Sequence, residues 1–86
     1  MVNPAAKLQM KLSESEFPFS KRMHNFFRWV EIDTVAELAA IPLVRLTCFK
    51  GFKSKCREEL IAFIEFEGIG TLFEGYLLWK EQQLHR

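Results

Sequence analysis

No stretch of the chain stays apolar for the roughly 18 residues that a membrane-crossing helix requires, and 27% of the 86 residues are charged, so a membrane span is excluded. Cysteine is scarce. The two present, Cys48 and Cys56, are too few for a disulfide scaffold and fit a reduced, cytoplasmic interior. The opening residues Met1-Val2-Asn3-Pro4-Ala5-Ala6-Lys7 contain no hydrophobic signal core, so export is not expected. There is no C-x-x-C pair, and the two histidines, His24 and His85, lie far apart; without those spacings neither a metal site nor a cofactor is expected. Net charge is only +1, which on its own points to no polyanionic partner. Alternation with a period of two lasts nowhere beyond a few residues, and no long repeat is visible.

What is present is a large apolar fraction, 49% with nine Phe, too much for a disordered tail. The length suits one domain with a real core, although a chain of this size buries only about 60% of its unfolded surface, so modest stability is expected. Residues 1–12 read two ways: Asn3-Pro4 suits the start of a short helix, whereas Lys7-Leu8-Gln9-Met10-Lys11-Leu12 alternates as a strand does. Phe17-Pro18-Phe19 is predicted to be extended, because the residue before proline avoids helical angles. Ser20 then caps a first helix over residues 20–30, with Met23, Phe26, Phe27 and Val30 at core spacing. Thr34-Val35-Ala36-Glu37 is a capping box opening a short second helix. Pro42 ends that helix and serves as the first residue of a third, through Thr47. A fourth helix over 54–67 buries Leu60, Ile61, Phe63 and Ile64 and stops at Gly68. A second capping-box sequence, Thr71-Leu72-Phe73-Glu74, opens a fifth helix that carries Tyr76, Leu77, Leu78 and Trp79 toward a polar end at Glu81-Gln82-Gln83. The predicted fold is all-α, a compact five-helix domain with helix-turn-helix units at 20–41 and 42–67.

Charge is polarised along the sequence. Residues 20–28 hold Lys21, Arg22 and Arg28, residues 45–57 hold Arg45, Lys50, Lys53, Lys55 and Arg57, and neither window contains an acid; the rest of the chain sets four basic residues against eleven acidic ones. A fold that brings the two windows together therefore has a basic face. The sharpest signal is Phe49-Lys50-Gly51-Phe52-Lys53-Ser54-Lys55-Cys56-Arg57, where four positive charges fall within eight residues around a glycine that permits backbone angles other residues resist. This turn feeds directly into the fourth helix, whose N-terminal amides and dipole add further positive potential, the chemistry of a phosphate site. A lone basic turn is more often a solvated loop; the blocks around this one argue for more.

Arg22-Met23-His24-Asn25 in the first helix, Ile32-Asp33-Thr34-Val35-Ala36-Glu37-Leu38 at the turn into the second, and Gly51-Phe52-Lys53-Ser54-Lys55-Cys56-Arg57-Glu58-Glu59-Leu60 at the basic turn together resemble the C-terminal domain of the bacterial RNA polymerase alpha subunit. The resemblance covers residues 12–69, with the spacing between blocks preserved. It implies a helical domain of helix-hairpin-helix type that binds the minor groove of A/T-rich upstream promoter DNA and contacts transcription activators. By that resemblance Arg22 falls where the family inserts its principal arginine into the groove, Asn25 at a DNA-contacting asparagine, Lys55 at a phosphate-contacting lysine and Glu59 at a nearby glutamate. Two positions depart from the family pattern. Lys53 stands where the family usually has the hairpin glycine, and a left-handed backbone there would cost about 1–2 kcal/mol. Cys56 stands where a serine usually contacts the DNA backbone, and a thiol is the weaker donor. Residues 1–11 precede the resemblance as an N-terminal extension and residues 70–86 add a helix outside it, which implies a free-standing relative rather than a part of the polymerase core.

The expected role is a non-enzymatic, transcription-related module that binds double-stranded DNA through Arg22, Asn25, Gly51, Lys53, Lys55 and Cys56, with Glu59 in support. The alternative is a protein-interaction module docking on a transcription factor or RNA polymerase. Tyr76-Leu77-Leu78-Trp79 cannot all share one helix face, so the fifth helix is either wedged between two surfaces or leaves a patch for a partner, including a homodimer through Tyr76, Leu77 and Trp79. Trp29 and Trp79 read as core or interface anchors, and Cys48 as a small core residue. Glu58-Glu59 and the pair Glu65 and Glu67 read as solvated helix faces. Catalysis is not expected, since nothing orients a Cys-His pair and nothing puts two carboxylates in a cleft.

Overall fold

Each helix starts and stops for a reason supplied by the residues at its ends. The computed structural model describes residues 4–82; Asn3, Gln83 and His85, which enter the expectations above, lie outside the described residues. Helix α1 (Lys21–Trp29) is capped by Ser20, whose hydroxyl accepts from the Met23 amide at 3.3 Å. It ends in a Schellman turn, with the Ile32 amide donating to the Phe27 carbonyl at 2.9 Å and the Glu31 amide to the Arg28 carbonyl at 3.2 Å. Glu31 takes φ +59° there, the one positive φ outside glycine among the described residues. Helix α2 (Val35–Ala39) opens on a capping box: Thr34 Oγ1 accepts from the Glu37 amide at 3.2 Å, and Glu37 Oε1 accepts from the Thr34 and Asp33 amides at 3.0 and 2.6 Å. The Asp33 amide first, then that of Thr34, hold the Glu37 carboxyl below its ordinary pKa.

Helix α3 (Leu43–Leu46) follows Pro42, which sits one position earlier than expected, as the cap whose carbonyl receives the Leu46 amide at 2.9 Å. Helix α4 (Ser54–Glu67) stops at Gly68, φ +67°, with the Ile69 amide bonded to the Ile64 carbonyl at 3.1 Å. The capping box read at Thr71 and Glu74 does not form. Gly70–Leu72 is a 3-10 turn instead, and α5 (Tyr76–Gln82) begins after Gly75 at φ +73°. That glycine makes the sharp change of direction, so the chain enters α5 too late for Thr71 to cap it.

The architecture is all-α, with five α-helices, 61% helix and no strand among the described residues. Helix α4 is the axis: Cys56, Leu60, Phe63 and Ile64 are buried along it, while Ile61 is only partly covered. Met23, Phe26 and Phe27 of α1, Val35 and Leu38 of α2, and Leu43 and Leu46 of α3 close one core around it. The Phe17-Pro18-Phe19 segment is not extended as expected but closes into a tight turn, the Phe19 amide donating to the Phe17 carbonyl at 2.9 Å across a proline whose fixed φ suits it. It plugs that core, its two rings lying 5.7 and 4.8 Å from the Phe63 ring. No helix among the described residues is long and apolar enough to cross a membrane.

The stretch read as an N-terminal extension is stitched to the domain. Pro4–Lys7 is a 3-10 turn, and beyond it the Leu8 and Met10 carbonyls accept the Ala36 and Val35 amides at 2.9 Å each. Those are first-turn amides of α2 that have no partner within their own helix. Leu12 donates to the Asp33 carbonyl at 2.8 Å, beside an isolated bridge from Lys11 to Thr34. Strand-like alternation in this stretch thus caps a helix instead of joining a sheet. The Lys7 ammonium reaches both Glu67 Oε1 and the Glu67 carbonyl at 2.8 Å, and the Ser15 hydroxyl donates to the other carboxylate oxygen at 2.5 Å.

Candidate nucleic-acid interface

The turn between α3 and α4 is tight because Gly51 adopts φ +100°, a region that side chains disfavour. A Cβ at Gly51 would meet nothing within 4 Å, so the demand for glycine is conformational, not steric. Lys53 is extended, φ −105° and ψ −179°; the left-handed cost considered for it does not arise, since Gly51 has already made the bend. Lys53 is also the cap of α4, and its side chain makes no capping hydrogen bond. The first helical bond is from the Arg57 amide to the Lys53 carbonyl at 3.0 Å, which leaves the amides of Ser54, Lys55 and Cys56 ahead of the ladder. No acid occupies the first turn. The exposed ammonium groups of Lys50, Lys53 and Lys55 therefore add to the positive pole of a 14-residue helix.

Two devices bring α1 to this turn. The Glu59 carboxylate on α4 accepts from the Ser20 amide at 2.5 Å, tying the cap of α1 to the flank of α4. Phe49 and Phe52, on either side of Gly51, pack their rings on Phe26 of α1 at centroid distances of 6.0 and 5.3 Å. In consequence Arg22 and Lys55 line one shallow groove together with Ser20, Lys21, Glu58 and Glu59. Asn25 is exposed on α1 one turn beyond Arg22 and does not line the groove. Glu59, through its bond to the Ser20 amide, fixes the geometry that sets Arg22 beside Lys55.

Three expectations change. The Cys56 side chain is fully buried and its thiol donates to the Gly51 carbonyl at 3.6 Å, so its sulfur cannot touch DNA; helical spacing from Leu60 turns it inward, and only its backbone amide faces the helix end. Cys48 is exposed, its thiol turned to the Val44 carbonyl at 3.4 Å, because the α3 turn points it away from the core. Arg57, counted with the basic run, faces the other way: its guanidinium lies 4.4 Å over the Trp79 ring and Nη2 donates to the Trp79 carbonyl at 2.6 Å.

Tyr76 and Trp79 are likewise core, 4% and 3% exposed, and not a partner surface. The Tyr76 hydroxyl donates to Glu65 Oε2 at 2.6 Å, an oxygen that Lys80 also reaches at 2.9 Å. Burial first and the Glu65 carboxylate second push the Tyr76 phenol up; the Tyr76 hydroxyl first and Lys80 second hold Glu65 down. Gly70 makes room for this ring, since a Cβ there would come within 2.9 Å of it. The run at 76–79 thus resolves by helical spacing, Tyr76 and Trp79 three positions apart inward and Leu77 and Leu78 outward. Leu77 and Leu78 stand 77% and 64% exposed, and Leu78 shares a groove with Val44, itself 63% exposed, lined also by Pro42, Leu43, Phe73 and Trp79. Sequence reasoning missed Leu78 and Val44, although a helical wheel beginning at Tyr76 separates Leu78 from its buried neighbours. It also missed Glu58, an acid placed in the Arg22 groove. Comparison with models of known protein families, with curated proteins and with solved structures finds no match to this chain.

Proposed function

We propose that the chain is a DNA-binding module of bacterial transcription, related to the C-terminal domain of the polymerase alpha subunit, which its Arg22, Ile32 and Gly51 blocks resemble. The observation that carries the reading is the shared groove of Arg22 and Lys55 beside the uncapped start of α4. In this reading the Arg22 guanidinium enters a narrow A/T minor groove, where the negative potential is deepest. Asn25 follows it along α1. Lys53, Lys55 and the amides of Ser54 to Cys56 take the flanking phosphates. Affinity and base preference then reside in different residues.

Fluorescence anisotropy with A/T-rich and G/C-rich duplexes at two salt concentrations tests this. Arg22→Ala should weaken binding to the A/T duplex more than to the G/C duplex, whereas Lys55→Ala should weaken both alike and make the slope of log K against log salt shallower by about 0.9. A parent protein that binds neither duplex at low salt, or a folded Arg22→Ala that binds both like the parent, overturns the reading. A second reading, a protein-docking module, is favoured by exposed Leu78, which shares a groove with exposed Val44. It would take over in that event, with loss of a transcription-protein partner on Leu78→Glu as its own check.

A further inference from the structure

Trp29 is the chemistry-bearing side chain that the Arg22 groove leaves unused. It is 62% exposed, although the neighbouring aromatic residues of α1, Phe26 and Phe27, are buried. The indole is nonetheless held in place. Its ring meets Phe49 edge-on at 6.3 Å and 84°, Phe49 meets Phe26 at 6.0 Å, and Phe26 meets Phe52 at 5.3 Å, so a row of rings runs from the core to the surface. Single exposed aromatics are ordinary; one fixed at the end of a charged stripe is less so.

Seven residues separate Arg22 from Trp29, which on an α-helix returns to within about 20° of the same face and advances about 10 Å. Asn25 lies between them on that face, and all three are exposed. About 10 Å is about three base steps along a duplex. The neighbouring charge suits a polyanion: Lys50 follows the ring partner Phe49 and is exposed. The nearest acid in sequence, Glu31, lines a separate cleft with His24, Arg28 and Asp33. Trp29 closes the C-terminal end of α1, where the negative pole of the helix disfavours phosphate, while an indole accepts any base by stacking.

Building on the DNA reading above, we propose that Trp29 stacks on an unpaired or flared base, so that the preferred ligand of this face is duplex DNA opened at one base, about three steps from the Arg22 contact. The test compares an A/T-rich duplex with the same duplex carrying one bulged thymine, following anisotropy and indole fluorescence together. The parent should bind the bulged duplex about tenfold more tightly and its fluorescence should be quenched, Trp79 being buried and contributing no change. Trp29→Ala should bind the intact duplex as the parent does and lose both the preference and the quench, and Trp29→Phe should keep most of the preference because ring stacking survives. The quench in the parent is read without any variant. Equal binding of both duplexes by the parent, or a preference that persists in Trp29→Ala, overturns the stacking inference and leaves the DNA reading standing. A parent that binds neither duplex overturns both.

Discussion

Glu31 is the residue whose conformation its own chemistry favours least. It occupies the left-handed position of the Schellman turn that ends α1, at φ +59°, where an L side chain costs about 1–2 kcal/mol. The turn persists because the Ile32 amide reaches back to Phe27 and Ile32 itself is buried. Glu31→Gly should remove that strain; the freer unfolded chain returns about 0.4–1 kcal/mol of the gain, which leaves a stabilisation of up to about 1.6 kcal/mol. A higher denaturation midpoint with an unchanged m-value would show it, and an unchanged or lower midpoint would mean that the side chain does more in the folded state than its exposure suggests.

Among elements, the N-terminal stretch and α4 are coupled through Glu67. Burial alone would raise this carboxyl, but hydrogen bonds from Lys7 and then Ser15, with the Lys7 charge, outweigh it and hold the pKa below the ordinary value. A pKa depressed by folding contributes stability that is complete above the unfolded value of about 4.3 and is lost as pH falls through the folded value. Acidification below about pH 4 should therefore loosen residues 4–12 first. Amide exchange of Val35 and Ala36, whose acceptors are the Met10 and Leu8 carbonyls, should accelerate before that of Leu60 or Phe63. Glu67→Gln should lose about 0.5–1.5 kcal/mol at neutral pH and flatten the acid limb. An acid limb as steep as the parent's would assign the pH dependence elsewhere.

The molecule as a whole carries one extra positive charge, yet Arg22, Lys50, Lys53 and Lys55 lie where α1 and the Gly51 turn meet. Attraction to DNA must then come from that face alone, against a mostly acidic remainder. With Arg22, Lys50, Lys53 and Lys55 there, and Arg57 committed to Trp79, roughly three to five phosphate contacts are available, so log K should fall with log salt at a slope of about −2.7 to −4.5. A slope near zero would say that the DNA reading is wrong at its electrostatic root, whatever the affinity at one salt.

The residues that cap and stop helices were legible in the chain alone: Ser20, the pair Thr34 and Glu37, and Gly68 act through neighbours three or four positions away, so local chemistry decides them. The same holds for the core faces of α1 and α4, since burial at Met23, Phe26, Leu60 and Phe63 follows helical period, and for Gly51 as the bend. Where sequence reading went astray, either a neighbouring turn or a contact far along the chain overrode the pattern that was read. The Thr71 cap gave way to a turn at Gly75, and Arg57 was drawn from the basic run by Trp79, 22 positions on. Cys56 stood at a surface serine's position by the family resemblance and is a core thiol in the fold. Only the tertiary structure could place Glu59 against Ser20, 39 positions apart, and set Phe49 and Phe52 on Phe26. Those contacts bring Arg22 beside Lys55 and stand Trp29 clear of the core, because a spacing pattern determines which way a side chain points from its own helix and says nothing about which helix it will meet.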